Sequence, residues 1–271
     1  MGRWGGSEMG FGSDADAMLV YLDEFEGSQH KAETLTKELL VLVQDALLEF
    51  ELDLGLRPEG KNGVTVRSLE GYRGYYQQWA DTWEYQALLR ARMVTGSPTL
   101  VELFTKLIDE YRYAKSFSQA EIIEVKRIKA RVESERLPQG ADPLRHLKLG
   151  KGAISDVEWL VQLLQLRFAN EHESLKTLST LEALRELTQL GILEQQDEER
   201  LRLGWTISSR ARSALFLAMD KRIDVLTSDF RELEAAARIL EYQPGDAFVL
   251  EEDYLSTTRK ARSSFEKIFF A

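Results

Sequence analysis

Gly2-Arg3-Trp4-Gly5-Gly6-Ser7-Glu8-Met9-Gly10-Phe11-Gly12-Ser13-Asp14-Ala15-Asp16 opens the chain, and the order of its parts decides how the rest is read. A glycine-rich loop runs into Gly12-Ser13 and then into an Asp-x-Asp pair, Asp14 and Asp16. Ala17-Met18-Leu19-Val20-Tyr21-Leu22 follows, an apolar run of strand length. Side chains alternate faces along a strand, so Asp14 and Asp16 are expected on one face. Two carboxylates side by side repel unless a cation lies between them. Hard cations such as Mg²⁺ take carboxylate and phosphate oxygens, and upstream glycines let backbone N–H groups approach an anion. Taken singly, these are a loose terminus and a solvated turn; in this order they point to a metal-bound nucleoside triphosphate.

The chain has 271 residues, 44% hydrophobic and 30% charged, which is enough for a sizeable core and excludes a disordered class. Its formal net charge is −10, which argues against a general nucleic-acid binder. Cysteine is absent, so disulfide and thiolate chemistry are excluded. No apolar run approaches membrane-spanning length and no basic segment precedes an apolar leader, so the cytoplasm is the expected location. His30, His146 and His172 are scattered without ligand spacing, so zinc is not expected.

Outward from the opening stretch, residues 30–48 have helical spacing, with Leu35, Leu39, Leu42, Val43, Ala46 and Leu47 on one stripe. From Glu49 to Leu56 the pattern alternates, with Glu49, Glu51 and Asp53 on one face and Phe50, Leu52, Leu54 and Leu56 on the other; Pro58 and Gly60 stop it. A second acidic strand thus follows the first with one helix between, and a β-α-β connection can bring the two acidic faces together. Val64–Arg67 is a further short strand, and 68–95 reads as helix with an aromatic stripe expected to be core. Arg90 and Arg92 fall on that helix but not on one face, so one is free to meet a phosphate while the other serves a carboxylate. Ser97-Pro98 starts a helix and marks a boundary. Beyond it nearly everything reads as helix: one opened by the Ser118–Glu121 capping box, then 154–172, 177–190, 194–219, 228–241 and 247–269. The basic residues Lys126, Arg127, Lys129 and Arg131 are expected on a solvated face. Ser155 and Glu158 suggest another capping box, beside Lys148 and Lys151, whose glycine-flanked cations could cradle an anion.

Four separated stretches carry a family resemblance. Gly2-Arg3-x-Gly5-Gly6-x-Glu8-Met9-x-Phe11-x-Ser13-Asp14-x-Asp16 resembles the signature of the glutamine synthetase adenylyltransferase family, a branch of the polymerase β-like nucleotidyltransferases. Trp83-Glu84-x-Gln86-Ala87-Leu88-x-Arg90-Ala91-Arg92 resembles a second motif of that family. Lys148-x-Gly150-x-Gly152-Ala153-Ile154-x-Asp156-Val157-Glu158-Trp159 resembles a third, with Ala153 in place of a glycine. Near Asp53 the family pattern has an arginine where this chain has Gly55, while Arg57 is kept.

The resemblance implies an α+β chain: an N-terminally truncated polymerase β-like nucleotidyltransferase α/β domain at 1–96 and an all-α helical bundle at 97–271. The truncation is expected because the family's sheet begins with a strand ahead of the glycine-rich loop. The implied activity is transfer of AMP from ATP to a tyrosine hydroxyl of glutamine synthetase, by the half of the family's enzyme that attaches AMP. Asp14, Asp16 and Asp53 are implied as catalytic residues holding two Mg²⁺. Gly5, Gly6, Gly12, Ser13 and Arg57 are implied for nucleotide binding. Glutamine synthetase is the implied partner, with a nitrogen-signalling regulatory protein as a second. Two other readings stay open: the phosphorolytic, deadenylylating half, and a silent module that only binds glutamine synthetase.

Overall fold

The computed structural model describes residues 1–43, 50–113 and 117–271. The chain divides into two compact units, Met1–Met9 with Ser13–Ser116 and Gly10–Gly12 with Phe117–Ala271. The result is helix-rich with a few short strands, an α+β composition.

The first unit opens with the short helix α1 (Gly2–Gly5), then β1 (Ala15–Asp16), β2 (Leu19–Tyr21), α2 (Ser28–Leu42), β3 (Leu52–Asp53) and β4 (Val66–Ser68). β1 pairs with β3 in parallel, matching Ala15 to Leu52 and Asp16 to Asp53. β2 pairs with β4, also in parallel, matching Leu19 to Val66 and Tyr21 to Ser68. Of the expected apolar strand after Asp16, only Leu19–Tyr21 is strand, as β2, and β1 is a separate short piece at Ala15–Asp16. The expected 49–56 strand is shorter, because Asp53 accepts from the Gly55 N–H at 2.6 Å and turns the chain out of the ladder. Ala46, Leu47 and Glu49 lie outside the described residues.

Residues 68–95 form two helices rather than one, α3 (Leu69–Gln78) and α4 (Thr82–Leu88). Asp81 and Glu84 make a capping box that starts α4 afresh, which the aromatic stripe concealed. α5 (Pro98–Arg112) begins where the sequence indicates, with Ser97 Oγ accepting from the Leu100 N–H at 3.3 Å. α5 belongs to the first unit, because Phe104, Leu107 and Ile108 share a core with Leu69, Tyr72, Tyr76 and Leu88. Tyr72 meets Phe104 edge-on with ring centres 5.0 Å apart, so the stripe is core as expected, although Trp79 is 73% exposed.

The second unit is helical: α6 (Gln119–Glu135), α7 (Ile154–Phe168), α8 (Thr180–Gln189), α9 (Gln195–Met219), α10 (Phe230–Ile239) and α11 (Ala247–Phe269). Its core gathers Leu147 from the segment before α7, Leu226 from the segment between α9 and α10, and Leu215, Leu233, Leu250 and Tyr254 from α9, α10 and α11. The Ser118–Glu121 capping box forms as read from the sequence. The second expected box does not form, since α7 has no side-chain cap from Ser155. Asp156 instead accepts from the Gly152 N–H at 2.7 Å. Nor is the basic face of α6 wholly solvated: Lys129 is buried, 2.6 Å from Asp156 and 3.0 Å from Glu133. Arg262 of α11 joins the same carboxylates at 2.8 Å (Glu133) and 2.9 Å (Asp156). Gly152 has φ +74, and a Cβ there would lie 1.8 Å from the Thr258 carbonyl oxygen, so the motif around it is a tight crossing of backbones.

Candidate active site

The opening turn is wound on itself. The N–H groups of Gly5, Gly6, Ser7 and Glu8 donate to the carbonyls of Met1, Gly2, Trp4 and Arg3 at 2.7–3.2 Å. Gly5 and Gly6 are buried, and their donors serve the turn itself. Gly5 is required for packing, since a Cβ there would lie 1.8 Å from the Arg90 carbonyl oxygen.

Arg90 and Arg92 do not lie on a helix, because α4 ends at Leu88. Arg90 instead reaches back across the unit to form an ion pair with Glu8, the two side chains only 4% and 9% exposed. Arg92 donates from Nε to the Gly5 carbonyl at 3.0 Å and from Nη2 to the Trp4 carbonyl at 3.3 Å. The first two motifs thus interlock. Sequence reasoning gave no role to Glu8. The available signal was a carboxylate inside a glycine-rich loop, which when buried demands a cation.

The expected carboxylates fall as follows. Asp16 and Asp53 are register partners on neighbouring parallel strands, and both are half-buried. Asp14 is half-buried one residue before β1. Among the described residues, no three His, Cys, Asp or Glu side chains gather into a group that could hold a metal ion. The strand pairing thus sets the Asp16 and Asp53 backbones side by side, without a three-carboxylate group that includes Asp14 among the described residues. Two carboxylates on paired strands offer oxygen donors only, which fits a hard divalent cation in donor chemistry.

Arg57 is committed to its own loop, donating to the carbonyls of Leu54 at 2.7 Å, Gly63 at 3.1 Å and Lys61 at 3.3 Å. It fixes the segment that follows Asp53. Ser13 is half-buried just ahead of Asp14 in the first unit. Gly12 belongs with Phe11 to the second unit, where the Phe11 ring stacks 6.3 Å from Phe216.

An apolar cavity of about 510 Å³ lies within the first unit, lined by Val20, Leu35, Leu39 and Phe104, with Asp16 and Arg92 supplying charge. Lys148 and Lys151 are exposed at the second unit's glycine motif. His146 is buried there, and its Nδ1 accepts from the Leu149 N–H at 3.0 Å. Burial lowers its pKa from the ordinary value, the nearby Asp224 only partly opposing this. No helix among the described residues is long and apolar enough to cross a membrane.

Comparison with known proteins adds the following. Residues 1–107 match the family model described as glutamate-ammonia ligase adenylyltransferase. Residues 125–269 match the one described as GlnD PII-uridylyltransferase. Over its whole length the chain is 53% identical to a bifunctional glutamine synthetase adenylyltransferase/adenylyl-removing enzyme of Leifsonia xyli, covering 27% of that protein. It is 43% identical to the similarly named protein of Corynebacterium efficiens, again over its whole length, covering 26% of the relative. For the Streptomyces avermitilis protein the identity is 42%, and 28% of the relative is covered. The chain therefore spans about a quarter of the length of these relatives.

Proposed function

Because the chain belongs to the glutamine synthetase adenylyltransferase family, we propose that it transfers AMP from ATP to a tyrosine hydroxyl of glutamine synthetase. In this reading it is the adenylyl-attaching half of its longer relatives, and its first unit is a polymerase β-like nucleotidyltransferase domain. The observation that supports it best is the pairing of Asp16 with Asp53 directly behind the glycine-rich turn. A cytoplasmic location and control by a nitrogen-signalling protein belong to the same proposal.

Asp16 and Asp53, joined by Asp14, would hold Mg²⁺, which when bound neutralises the triphosphate and makes the acceptor hydroxyl more acidic. Asp53 takes the proton of the tyrosine hydroxyl, whose free pKa is about 10. The tyrosine oxygen then bonds to the α-phosphorus as the bond to the β-phosphate bridging oxygen breaks, and pyrophosphate leaves. Ser13 donates its hydroxyl to the phosphates. Gly5 and Gly6 shape the turn that brings the chain there, and Arg57 holds the Asp53 loop. Catalysis in this scheme is mostly positioning and charge neutralisation.

Intact-mass spectrometry tests the proposal: unmodified glutamine synthetase is incubated with this chain and Mg²⁺-ATP. An AMP-sized gain on the subunit, abolished by Asp16→Asn at unchanged helical content, is the expected result. No gain, or a gain that survives Asp16→Asn, refutes the assignment. Phosphate-dependent loss of AMP from adenylylated glutamine synthetase would assign the removing activity instead.

A further inference from the structure

We propose that Arg90 and Arg92 are positioning residues for the transfer, acting on Asp16 through the glycine-rich turn; this rests on the adenylyl-transfer reading above. The path is a run of contacts inside the first unit. Arg92 grips the turn by two carbonyls, Gly5 at 3.0 Å and Trp4 at 3.3 Å. Arg90 holds Glu8 at the turn's far end in a nearly dry ion pair. The Arg90 backbone also presses on Gly5, where a Cβ would approach its carbonyl oxygen to 1.8 Å. At its near end the turn presses on the metal-holding carboxylate, since a Cβ on Gly2 would lie 2.3 Å from Asp16 Oδ2. The Asp16 backbone is fixed by its pairing with Asp53, so the turn governs the setting of the Asp16 side chain. Tight packing transmits such a displacement rather than absorbing it.

The two arginines differ in kind. Arg92 uses its planar fork on two carbonyls, which a lysine ammonium cannot reproduce. Arg90 neutralises a buried carboxylate, so removing either partner alone strands a charge.

Three variants test this: Arg92→Lys, Glu8→Gln, and the double Glu8→Gln/Arg90→Met, which removes both charges and serves if a single change fails to fold. Hydrogen exchange is read at the amides of residues 5–8 and of α5, alongside kcat, KM for glutamine synthetase, and Mg²⁺ binding by calorimetry. For Arg92→Lys we expect faster exchange at 5–8 with α5 unchanged, weaker Mg²⁺ binding, kcat lower by roughly 10-fold or more, and an unchanged KM for glutamine synthetase. Glu8→Gln and the double variant should shift in the same directions. A loosened turn with wild-type kcat and Mg²⁺ binding overturns the positioning role, as does wild-type exchange in all three variants. A wild-type chain that transfers nothing fails the functional reading and the positioning role with it. A transferring wild type matched by its variants fails the positioning role alone.

Discussion

Replacing Asp156 by asparagine should destabilise the second unit severely. The carboxylate is fully buried and takes three donors: Lys129 Nζ at 2.6 Å, the Gly152 N–H at 2.7 Å and Arg262 Nη1 at 2.9 Å. An asparagine keeps one acceptor oxygen and turns an amine toward at least one of these donors. Lys129, 1% exposed, would then share Glu133 with Arg262 as its remaining partner among the ion pairs described. Arg262 would keep a partly exposed contact to Glu266 at 2.7 Å. The buried Lys129 would then share a partly exposed carboxylate with Arg262 and be undercompensated, and breaking such a buried pair costs about 3–5 kcal/mol. For a unit of this size, each kcal/mol lowers Tm by about 2–4 °C, so a drop of roughly 10 °C is expected. Thermal unfolding followed by circular dichroism measures it, with Arg127→Ala as a control because that side chain is 75% exposed and its ion pair contributes little. A drop below about 2 °C for Asp156→Asn would refute the view that this network joins α6, α7 and α11.

Other consequences follow from the same geometry. His146 is held neutral by burial, with its pKa below the unfolded value of about 6.5. Its contribution is therefore full above that pH and is lost as pH falls toward the folded value. Wild-type Tm should fall more than that of His146→Gln between about pH 7 and pH 5, and parallel curves would exclude the histidine. Gly152→Ala and Gly191→Ala form a matched pair, since both positions have similar positive φ, +74 and +71, but only Gly152 has backbone within reach of a Cβ. The first should prevent folding or lower Tm by roughly 10 °C, and the second should cost about 1–2 kcal/mol. Equal melting temperatures would show that the crossing at Thr258 is not tight.

Much of this was legible from local pattern. The helix starts at Ser97-Pro98 and Ser118 needed only a side-chain oxygen placed to meet a free N–H, which is a matter of a few residues. The order of acidic strand, helix, acidic strand was visible from alternation and was realised as the parallel pairing of Asp16 with Asp53. Charge placement read less well. Lys129 and Asp156 are 27 residues apart and each resembles a surface charge in its own helix; burial together made them a core pair. Arg90 looked like part of a helical face until the Asp81–Glu84 cap and the end of α4 at Leu88 turned it out of the helix.

The sequence by itself determined most element types, the family and the order of acidic strand, helix and acidic strand, because these depend on periodicity and on the order of residues along the chain. Only the tertiary structure decided which partner each charged group found. The Glu8–Arg90 pair is closed over 82 residues and the Asp156–Arg262 pair over 106. The physical reason is that a charge removed from water requires an opposite charge in space, and proximity in space is set by packing rather than by spacing along the chain.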